Sequence, residues 1–322
     1  MLLFWILFNL FVVAMLALDL GVLNRRAHAP RLPEALAWSA AWIGLAGAFA
    51  ATVFFWHGRA EALQFVAGYV IEITLSVDNL FIFLVIFRYF KVPGEHQHKV
   101  LFWGILGALV MRGVFIAAGV SLMRRFDWIV YAFGALLIYS GLKLLRQGDQ
   151  QINPEKNPVL RLARRVLPVT DHYEGGRFFI RGLSGGSTGG FTSRFTSKDA
   201  LYATPLFVVL LVVETSDILV AVDSVPAVLA VTLNAFIVYT SNVFAILVLR
   251  SMYFVLAEMM DRFHCLHYGL SAVLVLIGLK MIGSHYVNVP TEWTLGIVLA
   301  VLAGAITASL AWPSTPRDPK DA

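Results

Sequence analysis

The chain is dominated by long apolar stretches, at about 2–23, 35–56, 62–87, 100–122, 127–146, 202–230, 234–256, 267–285 and 293–312. Each is long enough to cross about 30 Å of hydrocarbon as an α-helix. Only 14% of the 322 residues are charged, against about a quarter in soluble domains, and mean hydropathy is +0.76. Too little polar surface remains to cover a compact body in water, so lipid is the solvent this chain requires. The expected fold is an all-α polytopic membrane protein of about nine transmembrane helices. Proline and glycine punctuate the gaps, at Pro30, Pro33, Pro93-Gly94, Pro154, Pro158, Pro290 and Pro313. The first stretch has no basic leader and no small-residue cleavage site, and reads as a retained helix.

Basic residues set the orientation. With the N-terminus outside, 18 lysines and arginines fall in inner segments and three in outer ones, Arg59, Arg124 and Arg125. The expectation is N-out and C-in, with Trp56, Trp128 and Trp312 as interfacial anchors. The net charge of +5 follows from these loops and is no sign of nucleic acid. A lone Cys265 excludes a disulfide framework, a Cys-rich zinc site and an iron–sulfur cluster built from this chain alone. The loop at 148–200 carries a Gly/Ser-rich linker without the Gly-Lys-Ser/Thr of a phosphate loop. Phe178, Phe179, Phe191 and Phe195 alternate with Arg177, Arg181 and Arg194 there, a composition suited to anionic headgroups.

Four bases lie inside spans, and their surroundings match in pairs. Leu109-Val-Met-Arg112-Gly-Val-Phe115 resembles Leu247-Val-Leu-Arg250-Ser-Met-Tyr253, and Tyr139-Ser-Gly-Leu-Lys143-Leu-Leu145 resembles Leu276-Ile-Gly-Leu-Lys280-Met-Ile282. Upstream, Glu72-Ile-Thr-Leu-Ser-Val-Asp78-Asn79 resembles Asp217-Ile-Leu-Val-Ala-Val-Asp223-Ser224. Spans three to five thus correspond to spans six to eight. Three is odd, so the second copy starts from the opposite side of the membrane, as in the inverted repeats of many secondary transporters. The organisation expected is 1–60, peripheral spans one and two; 61–147, repeat A; 148–200, cytoplasmic loop; 201–286, repeat B; and 287–322, span nine with the tail.

Ten ionisable side chains sit in these spans: Asp19, Glu72, Asp78, Glu214, Asp217, Asp223, Arg112, Lys143, Arg250 and Lys280. Unpaired, they would oppose insertion by roughly 25–35 kcal/mol. They must pair, line a wet cavity or hold an ion. At 100° per residue Glu72, Ser76 and Asn79 share one helix face, as do Glu214, Asp217, Ala221 and Ser224. Asp78 and Asp223 point elsewhere on a straight helix; an unwound turn near Asn79 or before Pro226 would bring them in. Carboxylates, an amide and hydroxyls are hard oxygen donors suited to Mn²⁺, Mg²⁺ or Ca²⁺. All eight histidines lie in loops or near span ends, with His264 and His267 read as a surface pair. The candidate metal set is therefore Glu72, Asp78, Asn79, Glu214, Asp217, Asp223 and Asp19, with Arg112, Lys143, Arg250 and Lys280 as charge partners. The alternative is that the acids only neutralise those four bases.

At these motifs, and at Val213-Glu214-Thr-Ser-Asp217, Ala221-Val-Asp223-Ser-Val-Pro226-Ala227, Ile237-Val-Tyr-Thr-Ser-Asn242-Val-Phe-Ala-Ile246 and Leu249-Arg250-Ser-Met-Tyr253-Phe254, the chain resembles the TerC family of integral membrane proteins, within it the Alx-like branch. The resemblance covers essentially all nine spans. It implies a bacterial inner-membrane protein of manganese homeostasis, exporting Mn²⁺, with the intramembrane acids as ligands. The Gly/Ser-rich segment 182–197 is longer than the family pattern. The partners expected are the bilayer and a divalent metal ion, with no nucleic acid and no resident cofactor; a homo-oligomer is left open. The rival reading is a membrane component of a metal-delivery or tellurium-stress complex without transport of its own. No His-Glu-x-x-His and no intramembrane histidine base argues for an enzyme.

Overall fold

The computed structural model describes residues 2–18, 32–147, 169–170, 173, 175–181, 201–259, 266–284, 286–287 and 289–311. Nine α-helices stand among them: α1 (Leu2–Leu18), α2 (Leu32–His57), α3 (Arg59–Tyr89), α4 (Gly94–Arg125), α5 (Ile129–Gln147), α6 (Pro205–Leu229), α7 (Ala235–Met259), α8 (Leu266–Gly283) and α9 (Thr291–Ala311). Each apolar stretch read from the sequence overlaps one of them, and several helices run a few residues past its limits. In lipid the backbone has no water to bond, so a helix, which satisfies its own N–H and C=O groups, is the form such stretches take. By length and composition seven helices suffice to cross a bilayer, and an eighth, α7, does so with a 48° bend between Leu249 and Ser251. The apolar run of α1, Leu3–Met15, is shorter. Seven or eight of the nine crossings expected thus meet these criteria among the described residues, and the end of the first stretch lies outside them.

Ends differ from expectation in informative ways. α6 starts at Pro205 rather than 202, because proline suits the first helical position, where its missing N–H is unneeded. Residues Leu201–Ala203 instead form strand β2, antiparallel to β1 (Phe179–Arg181), with Phe179 opposite Ala203 and Arg181 opposite Leu201. The turn from α2 to α3 passes through Gly58 at φ 95°, a left-handed conformation that glycine adopts without steric cost. Neither α3 nor α6 unwinds, even at Pro226 inside α6.

The small sheet ties the α5–α6 connection to the ends of α3 and α4. The Lys99 ammonium donates to the Gly176 carbonyl at 2.6 Å and lies over the Phe178 ring, 5.0 Å from its centroid. The Tyr173 hydroxyl donates to the Phe90 carbonyl at 2.7 Å, and burial raises its pKa above the usual phenol value. Phe179 packs on Phe207, with centroids 4.5 Å apart. Phe178 thus has a cation over its ring and Phe179, though largely exposed, has a neighbouring ring within the fold. Phe191, Arg194 and Phe195 lie outside the described residues.

At the centre α3, α4, α6 and α7 pack together, while α5 and α8 pack on each other at the flank. The helices of one trio meet their counterparts in the other: α3 touches α6, α4 touches α7 and α5 touches α8, and the crossed contacts α3 with α7 and α4 with α6 both occur. Directions follow from close approaches. Gly104 abuts Val213 and Gly119 abuts Leu229, so α4 and α6 run the same way. Gly68 abuts Val228, while Leu80 and Phe83 share a cavity wall with Val213, so α3 and α6 run oppositely. At the flank a Cβ on Gly141 would meet the Ser271 carbonyl at 2.9 Å, and one on Gly278 would meet the Gly134 carbonyl at 2.7 Å. These two approaches exchange when residues 137 apart are swapped between the trios.

Candidate functional site

Hydroxyls on these helices mostly bond back along their own helix. Thr74 donates to the Val70 carbonyl at 2.6 Å, Thr215 to Leu211 at 2.6 Å and Ser216 to Val212 at 2.8 Å. Such back-bonding hides a polar group without needing a partner helix. The charged side chains have no local outlet of this kind and must meet across helices.

Arg112 of α4 is the meeting point. Its guanidinium is ion-paired with Glu72 of α3, its Nη1 donates to Asn242 Oδ1 of α7 at 3.1 Å, and its Nη2 lies 3.6 Å from Asp217 Oδ1 of α6. Exposure is 0% for Glu72, 1% for Arg112, 1% for Asn242 and 7% for Asp217. One residue from each central helix is therefore sealed into a single polar knot. Two carboxylates face one guanidinium, an excess of one negative charge when both are ionised. Attraction is strong at such short range in a medium of low dielectric, but so is the cost of leaving any member unpaired.

On α3, α6 and α7, the helices that supply three of the knot's members, stand buried polar atoms without hydrogen-bond partners among the described residues. They are Ser76 Oγ, both amide atoms of Asn79, Ser224 Oγ, Asn242 Nδ2 and the Tyr69 hydroxyl. Burying such groups unsatisfied costs about 1–3 kcal/mol each, which makes them candidates for water or an ion. Beside Asp217 a cavity of about 20 Å³, walled by Leu80, Phe83, Leu101, Gly104 and Val213, has room for one water-sized guest.

The remaining members of the expected set do not join the knot. Glu214, one turn before Asp217, is half-buried and lays its carboxyl against Gly107 of α4, with no cation in ion-pair range among the described residues. Asp223 accepts a hydrogen bond from Ser140 Oγ of α5 at 2.7 Å, and the exposed Lys143 acts on it electrostatically. The unwound turn that would have carried Asp223 towards Asp217 is absent, so a continuous α6 presents it to α5 instead. Lys280 is half-buried on the wall of a second, apolar cavity of about 340 Å³ with Leu276, Tyr286, Thr294 and Val298. Asp78 and Arg250 stand in α3 and α7, but their side chains, like all of Asp19, lie outside the described residues. Among the described residues no three His, Cys, Asp or Glu side chains gather as a metal cluster. His264 is outside them, and His267, expected at the surface, buries its Nε2 with no hydrogen-bond partner among the described residues, its ring tilted against Tyr268.

Sequence reasoning put Glu72, Asn79 and Arg112 in mid-membrane but passed over Asn242, Ser140 and Gly107 as site residues. A lone amide in the middle of span seven was signal enough for Asn242. Nothing local marks Ser140 or Gly107, whose roles exist only through α6.

The chain matches the model of the integral membrane protein TerC family over residues 57–317. An uncharacterized membrane protein of Myxococcus xanthus is 48% identical over 306 residues, covering 95% of this chain and 91% of that protein. A protein of Escherichia coli K12, provisionally described as the membrane-bound redox modulator Alx, is 43% identical over 310 residues, 93% of this chain and 92% of its own. An uncharacterized membrane protein of Rickettsia bellii is 33% identical over 306 residues, 95% and 96% of the two chains. No solved structure matches.

Proposed function

The chain belongs to the TerC family of integral membrane proteins, and from that premise we propose that it transports a hard divalent cation, Mn²⁺ in the outward direction, across a bacterial inner membrane. The observation that carries this reading is the convergence of Glu72 and Asp217, from different helix trios, on one buried point beside a water-sized cavity. Their oxygens, with the unpartnered Ser76, Asn79 and Ser224 nearby in sequence, are hard donors of the kind Mn²⁺, Mg²⁺ and Ca²⁺ take. The proposed inverted repeat is supported by the helix contacts that survive exchange of the trios and by the opposite directions of α3 and α6. Such repeats place a substrate between them and expose it by rocking one against the other. The N-out, C-in orientation rests on the lysine and arginine bias alone.

Export of a doubly charged ion against an inside-negative potential costs about 4.6 kcal/mol per 100 mV. Inward protons binding the same carboxylates are the coupling we infer. Mn²⁺ flux from purified protein in liposomes tests the whole reading. Wild type is expected to move Mn²⁺ faster with a proton gradient than without, and Asp217→Asn to move none. Absence of flux from wild type would favour the rival, a membrane component of a metal-delivery or stress complex. The redox description of the Alx relatives is a property given to those proteins. With Cys265 alone, a dithiol couple within this sequence is not its basis here.

A further inference from the structure

The hold of Arg112 on its two carboxylates is unequal. It is ion-paired with Glu72, whereas the approach of Nη2 to Asp217 is 3.6 Å, beyond hydrogen-bonding range, and its Nε has no acceptor among the described residues. The loosely held carboxylate is the one that borders the cavity. A cation arriving there meets Asp217 first and finds the pair already occupied by a guanidinium. Both cannot stay: three positive charges would crowd two carboxylates, and the guanidinium needs an anion wherever it goes.

One is close by. Glu214 lies on α6 a turn from Asp217, with its carboxyl against α4 at Gly107, and no described cation faces it. Gly107 is five residues N-terminal to Arg112 on the same helix, about 7.5 Å along the axis and about 140° around it, a separation that the long arginine and glutamate side chains bridge between them. Helical side chains lean towards the N-terminus, so this is the direction in which an arginine extends. Any larger residue at 107 would place its Cβ on the Glu214 carboxyl.

We propose that Arg112 is a tethered cation that keeps the Glu72–Asp217 pair filled while no metal is bound, and moves onto Glu214 when a divalent ion takes its place. The inference rests on the transporter reading and specifies how its site is regulated. Charges close in the metal-bound arrangement: two carboxylates with one divalent ion, and one guanidinium with one carboxylate. Glu214 is then a seat for arginine rather than a metal ligand.

The test is Mn²⁺ binding to the full chain in lipid nanodiscs, read by calorimetry, on a double-mutant cycle. Arg112→Gln removes the competitor and is expected to tighten Mn²⁺ binding about tenfold, 1.4 kcal/mol. Glu214→Gln removes the seat and is expected to weaken binding about tenfold with Arg112 present, yet to leave it unchanged in the Arg112→Gln background. Equal weakening in both backgrounds would make Glu214 a ligand and overturn the inference, as would an Arg112→Gln protein that binds no more tightly. Should Arg112→Gln not fold, Gly107→Ala dislodges Glu214 from α4 by another route. It is expected to match Glu214→Gln, and wild-type affinity in both would overturn the inference. Wild type that binds and transports Mn²⁺, with Glu214→Gln binding it as tightly, sinks this inference alone; wild type that does neither sinks the transporter reading with it.

Discussion

The centre and the flank of the molecule are held together by different physics. At the centre, α3, α4, α6 and α7 each contribute one polar side chain to the sealed Glu72–Arg112–Asp217–Asn242 knot. At the flank, α5 and α8 approach through glycines, with Gly141 against the Ser271 backbone, Gly278 against the Gly134 backbone, and Ser271 Oγ donating to the Gly141 carbonyl at 2.5 Å. Lipid tails are as apolar as leucine, so helices in a membrane associate through close packing or through polar contacts. Both regions use close packing, and the centre adds charge where a cation is proposed to pass. Among the described residues the flank reaches α6 at Asp223, through the Ser140 hydrogen bond and the charge of Lys143.

The comparison is broken most forcefully by Arg112→Gln. Two buried carboxylates are left uncompensated, and the apo protein should lose about 3–5 kcal/mol in a detergent-unfolding titration. Saturating Mn²⁺ should restore part of it, about 2.7 kcal/mol at a hundredfold excess over the dissociation constant. A loss under 1 kcal/mol would mean that water reaches the knot. Next is Gly278→Ala, whose Cβ must displace the Gly134 carbonyl or the Ile138 side chain; it should cost about 1–3 kcal/mol of stability and little Mn²⁺ affinity. If affinity falls as far as stability, centre and flank are not separate. Ser140→Ala removes one hydrogen bond to a half-buried carboxylate and should cost about 1 kcal/mol by the same titration. The smallest effect belongs to Lys143→Ala, an exposed ammonium whose loss should stay within about 0.5 kcal/mol. A larger change would reveal that Asp223 depends on Lys143 more than on Ser140.

Much of the helical framework was legible because hydropathy is a local sum: α2 to α9 fall on apolar stretches whose limits can be counted residue by residue. The face shared by Glu72, Ser76 and Asn79 was legible for the same reason, since helical periodicity is local too. The strand at Leu201–Ala203 was not, because a three-residue pairing with Phe179–Arg181 leaves no period to read. Nor was the fate of Asp223, where the reading needed a broken helix and the structure kept a continuous one facing Ser140.

Left to itself, the sequence determined that this chain lives in lipid, which side chains carry charge into it, and that so much buried charge demands compensation. It could not determine which anion answers which cation. Glu72 and Asp217 are 145 residues apart and Arg112 and Asn242 are 130 apart, so their meeting depends on how four helices pack. Desolvation is a debt each residue carries alone, whereas a pairing energy exists only between atoms that tertiary structure has brought within a few ångströms.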